Sequence, residues 1–331
     1  MRWDRVGAPL CRPCSLDHVH HQVRKVWATT SASETAPLSG TSLAVGWSQP
    51  QGESGAIGPD CCLPVEQVAG GRPELGLRHG CQQCPTGLFG TRTVRTPATL
   101  PGMDFVLIPG MWLPGSVWEP VTGHLTSLGH RTTPLTLPGQ GDGDPSATLD
   151  DQVSAVVAAV DAAPGGAVVV GHSAAASLAW MAADRRPDTV RTVVLVGGFP
   201  EVDGELYFGA FAPVDGQVPF PGWEPFEGPD AADLDQRQRA AFSAQVVAVP
   251  ETVTHGTVRL TDPRRYEVPV VLVCPEFTPA EAREWIAAGE LAATARVEFV
   301  DINSGHWPMV TRPVELAQIL ADVADRLTHS P

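Results

Sequence analysis

Basic residues and long apolar runs are both scarce in this sequence. Its 331 residues include 22 Lys and Arg against 37 Asp and Glu, which gives a formal net charge of −15. The basic residues form no stripe along the chain, and this argues against a nucleic-acid surface. The first residues contain no continuous apolar segment of the kind found in secretory signals. We therefore expect a cytoplasmic protein that binds neither nucleic acid nor membranes.

Cysteine is almost absent beyond residue 85, where Cys274 is the single example. The earlier cysteines include two C-x-x-C pairs that resemble halves of a zinc knuckle, with histidines near the first pair. These residues are Cys11, Cys14, Cys81, Cys84, His18, His20 and His21. The pairs lie much further apart than in zinc motifs, and the missing secretory signal disfavours a disulfide framework. We expect no metal and no cofactor, with a zinc-binding interaction domain as the alternative for this region.

Residues 1–102 show little hydrophobic periodicity and are rich in Gly, Pro, Ser and Thr. Such a segment buries too little apolar surface to offset the entropy lost on ordering. Strand-like patterning begins with Met103-Asp104-Phe105-Val106-Leu107-Ile108. We predict a working domain over residues 103–331. The preceding residues are predicted to be a low-order extension that is disordered or lies upstream of the true start at Met103.

Short apolar runs alternate with helix-like periodicity from residue 103 onward. This alternation, with short links, indicates an α/β fold whose open, mainly parallel sheet is flanked by helices. Strands are predicted at residues 105–108, 131–135, 167–170, 268–274 and 296–300, and residues 188–196 are predicted to form a turn followed by the fourth strand. Helices are predicted at residues 116–128, 148–162, 174–186, 279–288 and 313–327. In such sheets the functional site lies at the carboxyl ends of the strands.

The pattern breaks over residues 199–263, where Pro, Gly and aromatic residues dominate. An insertion of this size between two strands is predicted to form a small cap over the site, with a helix over residues 231–246. The alternative is a surface excursion whose aromatic residues form a core of their own. These aromatic residues are Tyr207, Phe208, Phe211, Phe220, Trp223 and Phe226.

A serine between small residues follows the third predicted strand. In Gly171-His172-Ser173-Ala174-Ala175 a strand turns directly into a helix, as in the nucleophile elbow of G-x-S-x-G motifs. A turn this tight excludes bulky side chains two positions before and after the serine, and Gly171 and Ala175 meet that requirement. The Ala174 N–H, at the start of the helix, is suited to hold an oxyanion above Ser173. The alternative is an ordinary strand-loop-helix with a chance Gly-x-Ser.

A serine nucleophile needs a base, and histidine is the usual one. His306 lies in a loop between the last predicted strand and the last helix, at the same carboxyl edge as Ser173. His172 adjoins the serine, but we expect its side chain to point the other way from a turn at a strand end. We therefore predict His306 as the base for Ser173.

Together these segments resemble the α/β-hydrolase fold family, in particular its small serine esterases and its methyl-esterase and hydroxynitrile-lyase-like branch. The resemblance covers residues 103–331 and is carried by Phe105–Gly110, Leu137-Pro138-Gly139-Gln140-Gly141, Gly171-His172-Ser173-Ala174-Ala175 and Ser304-Gly305-His306-Trp307-Pro308. It implies an α/β-hydrolase fold and a second oxyanion-hole N–H from the loop after the first strand. That loop reads Pro109-Gly110-Met111-Trp112, with proline in place of the family's frequent histidine, and the Met111 N–H is the candidate.

The acid that orients the histidine departs from the family's pattern. The resemblance places it at Thr278, which cannot do that work, and Thr278-Pro279-Ala280-Glu281 also predicts a capping box at a helix start. Glu276 stands two residues earlier, and its longer side chain is predicted to reach His306. The alternatives are Asp203 or Glu201, after the fourth strand, or no effective acid.

These residues predict a serine hydrolase that cleaves a small carboxylic ester, thioester or lactone through an acyl-enzyme. The aromatic insertion favours an apolar or aromatic substrate. Two alternatives stay open. One is a hydroxynitrile-lyase-type enzyme that uses the same triad for acid/base chemistry, and the other is a catalytically weak module that binds a small ligand. The sequence does not indicate an oligomeric state.

Removal of residues 1–102 tests the predicted domain boundary. Because the patterned elements and all candidate site residues lie after Met103, a protein of residues 103–331 should fold and keep the full-length turnover of a nitrophenyl ester. Circular dichroism and initial rates measured on both proteins check this. Loss of fold or activity would mean that the extension belongs to the working protein.

Overall fold

The structure is a computed structural model that describes residues 102–288 and 297–329. The predictions made for residues 1–101, including most of the low-order extension and the two C-x-x-C pairs, fall outside these ranges. Cys274 lies inside them and is a buried free thiol. No helix in the described ranges is both long enough and apolar enough to cross a membrane.

Parallel strands form the central sheet. The strands are β1 Asp104–Ile108, β2 Arg131–Pro134, β3 Ala167–His172, β4 Val190–Val196, β5 Gln217–Val218, β6 Val249–Pro250, β7 Val270–Cys274 and β8 Val297–Asp301. Six of them make one parallel sheet in the order β2-β1-β3-β4-β7-β8, and β5 pairs with β6 in a small antiparallel sheet. Every residue of β3 is buried, as expected for a strand that is covered on both faces. The predicted α/β fold with a mainly parallel sheet is confirmed.

Helices flank this sheet. They are α1 Glu119–Ser127, α2 Leu149–Asp161, α3 Ala175–Arg185, α4 Gln236–Ser243, α5 Glu251–Thr254, α6 Pro279–Ala287, α7 Pro308–Thr311 and α8 Pro313–His329. Helix α1 packs against α8, and α2 packs against α3, which also contacts β3 and β4. Helix α6 begins with the capping box predicted at Thr278, whose side chain accepts the Glu281 N–H while the Glu281 carboxylate accepts the Thr278 N–H.

Two helices differ from the predicted ones. The helix predicted over residues 116–128 begins instead with a 3-10 turn over Gly115–Trp118. Pro120 explains this, because an α-helix from residue 116 would need a proline N–H in its interior, whereas Pro120 fits the first turn of α1. The helix predicted over residues 231–246 covers only Gln236–Ser243, because Asp235 caps it by accepting the Gln238 N–H at 2.7 Å.

The last residues of the insertion, residues 199–263, hydrogen-bond the buried carboxylate of Asp184. Asp184, near the end of α3, is only 2% exposed. It accepts hydrogen bonds from the N–H groups of Thr261 and Asp262, both at 2.8 Å. Arg265 Nη1 lies 3.1 Å from the same carboxylate. The end of the insertion is therefore fixed to α3, the helix that follows Ser173.

The loops that follow the parallel strands all leave the sheet at one edge. Because carboxyl ends of parallel strands share an edge, residues that follow β1, β3, β4, β7 and β8 can meet there. The site residues predicted from the sequence lie in these loops, and they are Met111, Ser173, Ala174, Asp203, Glu276 and His306.

Leu125 and Leu128 test the packing of α1. Leu125 is fully buried, whereas Leu128, just after the helix, is 48% exposed. Leu125→Ala should lower the free energy of unfolding by about 2–5 kcal/mol because the lost methyl groups leave a cavity. Leu128→Ala should change it by less than about 0.5 kcal/mol. Denaturant unfolding of both variants measures this, and equal losses would contradict the packing of α1.

Candidate active site

Ser173 lies in a left-handed turn between β3 and α3, with a φ of 55°. Its N–H donates to the Val196 carbonyl at 2.9 Å, which ties the turn to the end of β4. A Cβ on Gly171 would lie 2.3 Å from the Ala175 carbonyl oxygen, so the small residue inferred from the sequence is required there. A Cβ on Gly198 would lie 2.2 Å from the Ser173 carbonyl oxygen. Sequence reasoning missed Gly198, because its contact with the turn arises only when β4 pairs with β3.

His306 lies within hydrogen-bond distance of both the serine and a carboxylate. Its Nε2 is 2.9 Å from Ser173 Oγ, and its Nδ1 is 2.7 Å from Glu276 Oε1. A carboxylate only accepts, so Nδ1 carries the hydrogen, and Nε2 of the neutral ring can accept the Ser173 O–H. The structure thus brings together three of the side chains that the sequence singled out.

Two opposing effects set the pKa of His306. Burial lowers it, but the Glu276 carboxylate and, after it, Asp230 outweigh burial, so the pKa lies above its usual value. The backbone N–H of His306 also donates to the backbone carbonyl of Asp230 at 2.8 Å, and this bond joins the His306 loop to the insertion. A raised pKa favours the imidazolium that forms when the ring takes a proton from the serine.

Glu276 is held against His306 in a closed space. Its Oε2 is buried and has no hydrogen-bond partner among the described residues. Gly197, with a φ of 61°, faces the pair. A Cβ at this position would lie 3.3 Å from His306 Nδ1 and 3.4 Å from Glu276 Oε2. Glycine therefore leaves the glutamate room to reach the histidine.

The other carboxylates considered as the acid have different surroundings. Asp203 accepts the Leu260 N–H at 2.8 Å within the insertion. Glu201 lines the cavity beside Ser173, and its N–H donates to Ser177 Oγ at 2.9 Å. Of the three carboxylates, Glu276 is the one that hydrogen-bonds His306. Within residues 102–288 and 297–329, no group of three or more His, Cys, Asp or Glu side chains is arranged to hold a metal ion.

His172 corrects the expectation that its side chain points away from the site. Its Nε2 is 2.8 Å from the His306 carbonyl oxygen, and the two ring centroids are 4.9 Å apart. Since a carbonyl only accepts, Nε2 carries the hydrogen. Burial and the neighbouring His306 hold the pKa of His172 well below its usual value, so the ring is neutral. The ring turns inward because its residue, 1% exposed, ends a strand buried on both faces, and there it braces the His306 loop.

Met111 and Ala174 supply two backbone N–H groups at the cavity that Ser173 lines. No hydrogen-bond acceptor is found for either N–H among the described residues. Ala174 is the N-cap residue of α3, where the helix dipole adds partial positive charge. Both groups are therefore available to a carbonyl oxygen bound beside the serine.

The loop after β1 is braced by a buried glutamine. Gln140 Nε2 donates to the carbonyls of Gly110 at 2.7 Å and Leu113 at 2.9 Å. Trp112, in the same loop, has a φ of 65°, and its Nε1 donates to the Val218 carbonyl at 3.1 Å. Sequence reasoning gave Gln140 and Trp112 no role of their own. The position of Trp112, directly after the candidate oxyanion residue Met111, was the sequence feature that could have indicated a role for it at the site.

A cavity of about 170 Å³ opens beside Ser173. The Trp112 ring forms one wall and meets the insertion edge-on, with ring centroids 5.5 to 6.1 Å away in Phe208, Phe211, Phe220 and Phe226. Residues of the insertion that line the cavity include Tyr207, Phe208, Phe211 and Phe226. The aromatic residues of the insertion therefore contribute to the wall of the cavity.

Solved structures share this fold at low sequence identity. One is an extracellular alpha/beta-hydrolase from a Paenibacillus species, described as homologous in structure and function to tobacco salicylic acid binding protein 2. It is 20% identical with a TM-score of 0.56, and the match covers 67% of this chain and 99% of that protein. A pyrethroid hydrolase from Sphingobium faniae JZ-2 is 21% identical with a TM-score of 0.55, over 69% and 99%. A methylesterase from Arabidopsis is 16% identical with a TM-score of 0.56, over 68% and 99%.

A comparison with protein families extends this likeness to the sequence. No curated protein matches the chain by sequence. Residues 105–319, more than half of the chain, match the model of the Alpha/beta hydrolase family. The matched range contains Ser173, Glu276 and His306. The chain therefore belongs to the alpha/beta hydrolase family and is an enzyme of the hydrolase type.

Proposed function

We propose that the protein hydrolyses a small carboxylic ester through Ser173, His306 and Glu276, with an acyl-enzyme intermediate. One observation carries this proposal. An unbroken hydrogen-bonded line runs from the Glu276 carboxylate through His306 to Ser173 Oγ, beside a cavity walled by aromatic rings. A nucleophile, its base and an orienting carboxylate in this order form the arrangement that acyl transfer requires.

The steps follow from this geometry. Ser173 Oγ attacks the ester carbonyl carbon while its proton passes to His306 Nε2. The carbonyl oxygen becomes an oxyanion that the Met111 and Ala174 N–H groups stabilise. Collapse of the tetrahedral species breaks the bond to the alcohol, which leaves with the proton from His306. Water then attacks the acyl-enzyme in the same manner, with His306 as base, and releases the acid and free Ser173.

The cavity supports a substrate with an apolar or aromatic part. Trp112 and the phenylalanines of the insertion surround the space beside Ser173. Structures with this fold include a methylesterase and a pyrethroid hydrolase, and their names fit enzymes that act on small esters. Thioesters and lactones share the carbonyl chemistry and are included in the proposal. A hydroxynitrile-lyase-type reaction would use the same three side chains without an acyl-enzyme, so detection of that intermediate separates the two.

Substitution of the acid and of its alternative tests the proposed triad. Ser173→Ala should lower kcat for a nitrophenyl ester by about 10⁴-fold or more, because it removes the attacking oxygen. Glu276→Gln should lower kcat by roughly 10²- to 10⁴-fold, because the histidine loses the charge that orients it. Asp203→Asn is the matched control and should leave kcat within about twofold. Circular dichroism checks that each variant is folded, and a larger loss in Asp203→Asn than in Glu276→Gln would overturn the assignment of the acid.

The pH dependence tests the role of His306. The ring must be neutral to accept the serine proton, so kcat/KM should rise as the pH rises through the pKa of His306. Since that pKa is raised, the midpoint should lie above about 6.5. Glu276→Gln removes the largest cause of the rise and should move the midpoint to lower pH. A pH profile of both proteins measures this, and an unchanged midpoint would contradict the role of Glu276.

A further inference from the structure

The described residues that line the cavity beside Ser173 include acidic side chains but no Arg or Lys. These acidic residues are Glu201, Asp230 and Glu276. Glu276 is paired with His306. Neither of the other two carboxyl groups has a hydrogen-bond or ion-pair partner in the described part of the chain. A positively charged ligand in the cavity would supply a partner for them.

Glu201 lines the same cavity as Ser173. Its N–H donates to Ser177 Oγ at 2.9 Å. Ser177 lies in the first turn of α3, and both it and Ser173 line the cavity. Burial, with Glu205 nearby, raises the pKa of Glu201 to about 7. Glu201 thus lines the cavity with Ser173, half-buried and beside a group of its own charge sign.

Asp230 adds negative potential on the side of His306. It is 7% exposed, and its carbonyl accepts the His306 N–H at 2.8 Å. Burial raises the pKa of Asp230 to about 6, a rise that His306 partly offsets and Glu276 reinforces. The charge of Asp230 therefore acts first on His306, which leaves Glu201 as the carboxylate without a positive neighbour.

Aromatic rings fill most of the remaining wall. The negative face of an aromatic ring attracts a cation, most strongly where water is excluded. Trp112, Phe208 and Phe211 line the cavity with Glu201. Since the pKa of Glu201 is raised to about 7, a bound cation would stabilise its carboxylate form, whereas an anionic ligand would disfavour it. A positively charged nitrogen that bears alkyl or aryl groups matches both the rings and the carboxylate.

We propose that the substrate is a small ester that carries a positively charged nitrogen, a protonated amine or a quaternary ammonium, which Glu201 and the aromatic walls bind while the carbonyl lies at Ser173. The ester part of this statement rests on the proposed function, whereas the cation site does not. Residues 103–331 carry a net charge of −17, which also attracts cations to the protein. A cavity of about 170 Å³ limits the enclosed group to a few carbons around the nitrogen or to one ring.

Pairs of esters that differ only in charge test the substrate class. One pair carries the charge in the acyl part, where nitrophenyl esters end in trimethylammonium or in tert-butyl. The second pair carries it in the alcohol part of an acetate ester. In at least one pair, the full-length protein should hydrolyse the cationic ester with kcat/KM about tenfold above its neutral partner. Equal or faster hydrolysis of the neutral ester in both pairs would overturn the proposal.

Matched glutamate variants identify the residue responsible. Glu201→Gln should bring the ratio of the two kcat/KM values close to one. Glu205→Gln removes the same charge from a glutamate that does not line the cavity, and it should leave the ratio as in the unsubstituted protein. A ratio that falls equally in both variants would assign the preference to general charge, and a ratio unchanged by Glu201→Gln would remove that residue from the site.

Binding of phenyltrimethylammonium, which has no ester bond, separates this proposal from the proposed function. Titration calorimetry should detect its binding to the full-length protein, weakened about tenfold or more by Glu201→Gln and unchanged by Glu205→Gln. Binding without turnover of any ester would contradict the hydrolase proposal and keep the cation site. Turnover of neutral esters without this binding would support the hydrolase proposal and contradict the cation site.

Discussion

Ser173 adopts a left-handed backbone that costs a non-glycine residue about 1–3 kcal/mol, and the surrounding chain holds it there. Its N–H is bonded to β4 through Val196, and its carbonyl packs against Gly198, where no side chain would fit. Gly171 makes room for the start of α3. Two neighbouring strands and a helix thus converge on one residue. Packing of the sheet offsets the strain of the turn. The turn places the Ser173 hydroxyl at the cavity and within hydrogen-bond distance of His306.

The support for His306 comes from both sides of the site. His172 holds its carbonyl, Asp230 of the insertion accepts its N–H, and Glu276 orients its ring. Gly197 leaves space beside this ring. Glu276 therefore reaches His306, although the resemblance to the family places the acid two residues later, at Thr278. Through Asp230 the insertion is coupled to the proposed base, and through Trp112 it is coupled to the proposed oxyanion loop. The cavity wall and the chemistry are therefore built from the same contacts.

The sequence predicted the sheet, the elbow and the pairing of Ser173 with His306, although these residues are 133 positions apart. This was possible because alternating strands and helices imply parallel order, which brings the loops after the strands to one edge. Other features depend on contacts that no periodicity records. The Trp112 side chain meets Val218, 106 positions away, inside the insertion. The inward turn of His172 and the late start of α4 likewise follow from tertiary packing and from the Asp235 cap.

Covalent trapping tests the proposed role of Ser173 most directly. The full-length protein would be acid-quenched during turnover of a nitrophenyl ester, digested, and mapped by mass spectrometry. Nucleophilic attack by Ser173 predicts one acyl group on the peptide that contains this residue, present while substrate remains and lost after it is consumed. Continued turnover without an acyl group on Ser173, or with the acyl group on another residue, would contradict the proposed mechanism.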